Sequence, residues 1–81
     1  MGRLLNLLAD LSIDAETTVI LSSDHGETLG ELNVYGDHQT ADQITSRVPM
    51  MIRWPGVTVP GTVNNGMHYQ IDVSATILEL L

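Results

Sequence analysis

The sequence predicts an α/β fold with about two core strands and flanking helices, and three observations carry that expectation. Leu4, Leu7, Leu8 and Leu11 recur at the spacing of one helical face. Thr17–Leu21, TTVIL, is a continuous β-branched and apolar run, the pattern of a strand buried on both faces of a parallel sheet. Val48–Trp54 repeats that apolar character before Pro55-Gly56 ends it, and a second apolar helical stripe follows. Helix then buried strand is the alternation of an α/β domain.

In chain order, the first helix is expected to cover a sheet, and Ser12–Glu16 is a polar connector to the first strand. Glu27–Leu32 reads as a short helix. The segment from Gly30 to Ser46 loses periodicity and is polar, and a loop that long is usually functional or disordered. Pro49 sits near the start of the second strand, where a missing N–H matters least. Val57–Val63 is extended, and Asn64-Asn65-Gly66 is a strong turn signal. Asp72 is a natural N-cap for a last helix whose stripe is Val73, Ile77, Leu80 and Leu81. That stripe stops without a glycine or basic closing turn, and two strands with two helices are too few to cover both faces of a parallel sheet. Residues 1–81 are therefore expected to be a single incomplete domain, a piece of a larger one. An exposed sheet edge would invite a homodimer.

Composition narrows the function. A chain of 81 residues buries only about 60% of its unfolded surface. With no cysteine, neither disulfides nor thiolates can staple it, so a metal must be held by Asp, Glu, His, Asn or backbone oxygen. A formal charge of −7, with three arginines and no lysine, argues against nucleic acid. No apolar run approaches the roughly 20 residues that span a bilayer, and Met1-Gly2-Arg3 does not begin a secretory signal.

The densest chemical signal is Thr17–Gly26, TTVILSSDHG, where an apolar strand ends in serines, an Asp-His pair and a glycine. Open α/β sheets place their sites at such strand ends. A hard cation prefers carboxylate oxygens, whereas imidazole suits zinc, manganese or iron better. Asp24 and His25 are thus metal-ligand candidates whose residue types leave the metal open, and a carboxylate capping a helix beside a hydrogen-bonded histidine needs the same residues. Gly26 is expected to allow a left-handed or close-packed turn. Ser22 and Ser23 have no glycine elbow that would mark a nucleophile. Glu27 is expected to be a favourable anion in a helical first turn rather than support for a metal.

SDHGE at Ser23–Glu27, Gly36-Asp37-His38, and RVPMMIRWPG at Arg47–Gly56 follow in the order seen in sulfatases. The chain resembles the later part of a sulfatase catalytic domain, in the alkaline-phosphatase-like superfamily, over nearly its whole length. The resemblance implies metal-dependent hydrolysis of sulfate esters, with Asp24 and His25 as ligands of Ca2+, or of Mn2+ or Zn2+ as in other members of the superfamily. Where many sulfatases carry a Gly-Lys pair that binds sulfate, this chain has Gly36-Asp37. A carboxylate cannot supply that positive charge. His38 can when protonated, with Asp37 orienting the ring, and can then donate a proton to the leaving alcohol. His38 is thus the catalytic candidate, and His38, Asp37 and Arg47 are the substrate-binding candidates. Arg53 and Trp54 are expected to serve the strand, and His68 to be structural or exposed.

The resemblance also implies a formylglycine nucleophile, made from Cys or Ser in a Cys/Ser-x-Pro/Ala-x-Arg motif upstream. No serine here has that context, and Ser46-Arg47-Val48-Pro49 does not fit it. Two ligands also leave most of calcium's six to eight positions unfilled. The expectation is an inactive segment whose parent enzyme acts on a sulfate-ester small molecule or a sulfated glycan. The alternatives are a phosphonate monoester hydrolase or phosphodiesterase of the same superfamily, or a non-catalytic metal-binding or interaction module.

Overall fold

A computed structural model describes residues 1–81. In chain order the elements are α1 (Gly2–Asp10), β1 (Val19–Ser22), β2 (Thr28–Leu29), a 3-10 turn (Glu31–Asn33), β3 (Tyr35–Asp37), α2 (Gln43–Ser46), β4 (Met50–Arg53) and α3 (Ile71–Leu80). β1 pairs with β4, and β2 with β3, in two separate two-stranded sheets. Helix-strand alternation is present, so the α/β expectation stands at the level of a small α/β unit. No helix is long and apolar enough to cross a membrane.

The expectation of a parallel sheet with a strand buried on both faces is corrected. β1 and β4 are antiparallel, with Val19 opposite Arg53, Ile20 opposite Ile52, Leu21 opposite Met51 and Ser22 opposite Met50. All four β1 residues are only half-buried. A continuous apolar run reports that both faces meet apolar neighbours, but it does not report strand direction.

Each face of this sheet meets one helix. Val19, Leu21 and Met51 face Met1 and Leu5 of the α1 region, while Ile20, Met50 and Ile52 face Val73, Ile77 and Leu80 of α3. The α3 stripe is thus placed as its spacing predicts, except that Leu81 is 91% exposed. In α1 it is Leu5 and Leu8 that are half-buried, whereas Leu4, Leu7 and Leu11 are exposed. Leucines surround more than one flank of α1, and the sheet covers only the flank that carries Leu5. Arg53 ties this half to the connector after α1, its guanidinium reaching the Asp14 carboxylate at 3.3 Å and the Asp14 carbonyl.

The expected Glu27–Leu32 helix and the structureless loop from Gly30 to Ser46 are both corrected. Thr28 and Leu29 are strand, Gly30 turns at φ 131°, and Leu32 and Asn33 adopt left-handed φ of 56° and 57°. The chain then returns as β3 and enters α2. Polar side chains, not periodic apolar ones, build this segment. Thr28 Oγ1 donates to the Asp37 carbonyl at 2.7 Å and accepts the Asp37 N–H at 3.3 Å. Asp42 caps α2, accepting the Ile44 and Thr45 amides at 2.9 and 3.3 Å. Hydropathy patterns cannot see such bonds.

The expected Asp72 cap is corrected as well. Gln70 occupies the N-cap position of α3 without a side-chain cap bond, and Asp72 lies inside the first turn. There it remains favourable to the helix dipole. The Gln70 side-chain amide instead donates to the Ser23 carbonyl, linking α3 to the end of β1. Asn64 forms the expected turn, accepting the Gly66 N–H at 2.8 Å.

Candidate metal and substrate site

β1 ends at Ser22, and the following residues turn across the end of the β1–β4 sheet. The Ser23 hydroxyl donates to the His25 carbonyl at 2.8 Å, which closes this turn. Gly26 is the point where the turn meets α2. Its N–H donates to the Thr45 carbonyl at 2.7 Å, and a Cβ at this position would lie 1.9 Å from the Ile44 carbonyl oxygen. Close backbone approach, not left-handed backbone, is what requires glycine here.

Asp24 projects into solvent, with its side chain 86% exposed. Its Oδ1 accepts the His25 N–H at 3.0 Å, and Oδ2 lies 3.7 Å from His25 Nε2. The bond from the His25 amide is the main reason that the Asp24 carboxyl sits below the usual carboxylate range, with the nearby imidazole adding to it. His25 Nδ1 lies 2.8 Å from the Gly26 carbonyl. That carbonyl can only accept, so Nδ1 carries hydrogen and the ring is held in one orientation, with Nε2 on the side of the Asp24 carboxylate. One ionised carboxylate and one oriented imidazole fit two positions of a divalent-cation site.

The β2–β3 hairpin brings a second group to the same place. Thr28 pairs with Asp37, so Glu27 and His38, one residue outward on each strand, come together. His38 Nδ1 is 3.4 Å from Glu27 Oε2. The His38 ring stacks on the His25 ring with centroids 3.9 Å apart and planes 15° from parallel. His25, Glu27 and His38 each present a ligand atom within 4.8 Å of the others.

Among the candidates named from sequence, the fold brings His38 onto His25, while Asp24 stands beside His25 as its chain neighbour. Asp37 is adjacent but turned to another task, because its Oδ1 accepts the Gln39 N–H at 2.9 Å. The carboxylate facing His38 is Glu27, which corrects both the assignment of Asp37 as the residue that orients His38 and that of Glu27 as a helical anion. Arg47 is an exposed residue at the end of α2, and its backbone N–H donates to Gln43. Arg53 is engaged with Asp14, and His68 lines the apolar groove beside α3. The signal for Glu27 is the hairpin register, which depends on recognising Gly30–Val34 as a turn.

The sulfatase family model matches residues 1–81, the whole chain. A steryl-sulfatase of Rattus norvegicus is 34% identical over 92 aligned residues, covering 99% of this chain and 16% of the relative. An endo-4-O-sulfatase of Bacteroides thetaiotaomicron is 30% identical over 98% of this chain and 15% of its own length. An iduronate 2-sulfatase of Mus musculus is 37% identical over 74% of this chain and 11% of its length. The chain thus spans between 11% and 16% of these relatives. No solved structure matches it significantly.

Proposed function

Since this chain belongs to the sulfatase family, we propose that it supplies part of the cation and leaving-group side of a sulfuric ester hydrolase with alkaline-phosphatase-like architecture. The observation that carries this reading is the Asp24–His25 pair at the end of β1, with the His38 ring stacked on that of His25. Asp24 Oδ2 and His25 Nε2, 3.7 Å apart, are the two atoms that would hold a divalent cation. Calcium is the ion the family resemblance implies. Such an ion, when bound, would draw charge from the non-bridging oxygens of a sulfate ester.

This chain's own residues would then do three things. Asp24 is an exposed carboxylate, ionised near neutral pH, and the His25 amide lowers its pKa further. His25 is kept in one tautomer by the Gly26 carbonyl. His38, next to His25 and backed by Glu27, is placed to contact the ester and to pass a proton to the departing alkoxide oxygen. Arg47, the remaining substrate-binding candidate, has its side chain exposed at the end of α2. These 81 residues hold no lysine, so within this chain the cation and His38 carry the task of meeting the anion. The nucleophile is not among these residues, and the 81-residue chain alone is expected to be inactive.

The test is hydrolysis by the parent protein. A sulfate ester such as p-nitrophenyl sulfate should be cleaved, with Asp24→Ala lowering the rate by about 100-fold or more. Faster cleavage of bis(p-nitrophenyl) phosphate would instead assign the site to phosphodiester or phosphonate chemistry. Loss of neither activity on substitution of Asp24 would remove the cation role.

A further inference from the structure

Beyond the family reading, we infer that Asn65 is a self-modification site, an asparagine that cyclises onto the backbone nitrogen of Gly66 and opens to isoaspartate, and that Asn64 is the brake on this reaction. The inference draws on none of the metal or substrate candidates. It starts from Asn64-Asn65-Gly66, which holds the one Asn-Gly pair in the chain. Every residue from Gly56 to Asp72 is exposed, and neither Asn65 nor Gly66 takes part in a backbone–backbone hydrogen bond. With no helix or strand to hold it, this segment can reach the backbone angles that ring closure needs.

The step balances with water alone. The Gly66 nitrogen gives its proton to solvent and bonds to Cγ of Asn65, the Cγ–Nδ2 bond breaks, and ammonia leaves. Water then opens the resulting succinimide at either carbonyl, giving aspartate or isoaspartate. Glycine matters because no side chain crowds the attacking nitrogen and the backbone turns freely. Asn6 and Asn33 are followed by Leu7 and Val34, whose side chains obstruct the same attack. Asn33 is further held at a left-handed φ of 57° within the β2–β3 turn.

The brake is a hydrogen bond. Asn64 Oδ1 accepts the Gly66 N–H at 2.8 Å, the bond an asparagine makes to the backbone two residues on. It occupies the proton that the nitrogen must lose and aims the nitrogen at Asn64 rather than at the Asn65 side chain. Two neighbouring asparagines thus take opposite parts, one reacting and one restraining it. Isoaspartate would route the backbone between β4 and α3 through an extra carbon, and would add a negative charge to a chain whose formal charge is already −7.

The experiment is timed incubation of the 81-residue chain in mildly alkaline buffer, brief trypsin cleavage after Arg53, and electron-transfer fragmentation of the peptide 54–81. Isoaspartate is expected at Asn65 first, with Asn6 and Asn33 intact over the same period, and Asn65→Gln should abolish it. Asn64→Ala should accelerate the reaction about fivefold, the worth of one hydrogen bond, whereas Asn64→Asp keeps an acceptor in place and should stay near the unsubstituted rate. Circular dichroism verifies that the helices survive in each variant. Modification at Asn6, Asn33 or Asn64 ahead of Asn65 would overturn the site. An unaltered rate in Asn64→Ala, or equal acceleration in Asn64→Asp, would overturn the brake. None of those results would touch the family assignment, which rests on sequence similarity.

Discussion

The β1–β4 half and the β2–β3–α2 half of the molecule invert the usual division between core and surface. The first carries the apolar strands and the amphipathic helices, yet no hydrophobic residue in it is fully buried. The second is polar, yet it holds both buried residues, Thr28 and Thr45. Burial in the polar half comes from hydrogen bonds that draw backbones together. Thr45 Oγ1, for example, bonds the carbonyls of Thr40 and Asp42. The apolar half remains loose, with a groove of about 270 Å³ left between α3 and the sheet. The site is thus ordered by local polar geometry, and the apolar layers supply position more than rigidity.

Substitutions can break this comparison by reversing the order of their effects. The largest is expected for Gly26→Ala, since the new Cβ would collide with the Ile44 carbonyl oxygen at 1.9 Å. Backbone must shift, at a cost of about 3 kcal/mol, read as a lower urea midpoint together with loss of cross-peaks between the His25 and His38 rings. Thr28→Val comes next. It keeps the shape but deprives the Asp37 N–H and carbonyl of their partner, costing about 2 kcal/mol by urea denaturation. Ile52→Ala, in the apolar half, should cost about 1 kcal/mol, below the range for a buried isoleucine, because Ile52 is 43% exposed. If it proves more damaging than Thr28→Val, the apolar half is the true core.

Two smaller effects sharpen the contrast. Arg53→Ala should change stability by under about 0.5 kcal/mol, because both partners of the Arg53–Asp14 pair are more than 40% exposed. Acid should act locally on α2. The Thr40 hydroxyl first, and then the Ile44 and Thr45 amides, hold the Asp42 carboxyl below its usual value against the opposing effect of desolvation. Its contribution is therefore complete above the unfolded carboxylate pKa near 3.9 and lost as pH falls through the lower folded value. Amide exchange at Ile44 and Thr45 should accelerate over that acid range while exchange in β1 stays constant.

The same division explains what was legible in the sequence. The α1 helix, the β1 and β4 runs, and the Val73–Ile77–Leu80 stripe were legible from their apolar patterns, but the buried flank of α1 was not: of the expected Leu4, Leu7, Leu8 and Leu11 only Leu8 is half-buried, and Leu5, not foreseen, is the other. Strand direction was not legible, since apolar character alone carries no polarity of pairing. Asp24, His25 and His38 could be named from their motif, and the fold stacks His38 on His25. Glu27 could not be seen as the partner of His38, because the hairpin joining them has few apolar residues in alternation and turns through left-handed Leu32 and Asn33. β-Branched or aromatic residues give strands their signature, and β2, with Thr28 and Leu29, is too short to show one.

The hairpin that sets Glu27 against His38 also determines how this stretch can change length through mutation. Residues added or removed between Gly30 and Val34 alter only the connection, and the two strands can still meet at Thr28 and Asp37. Removing one residue within Tyr35–Asp37 instead moves every later side chain to the opposite side of β3, carrying His38 away from His25 at a stroke. Variation in chain length is therefore expected to gather at the tip of this hairpin and to spare its returning strand.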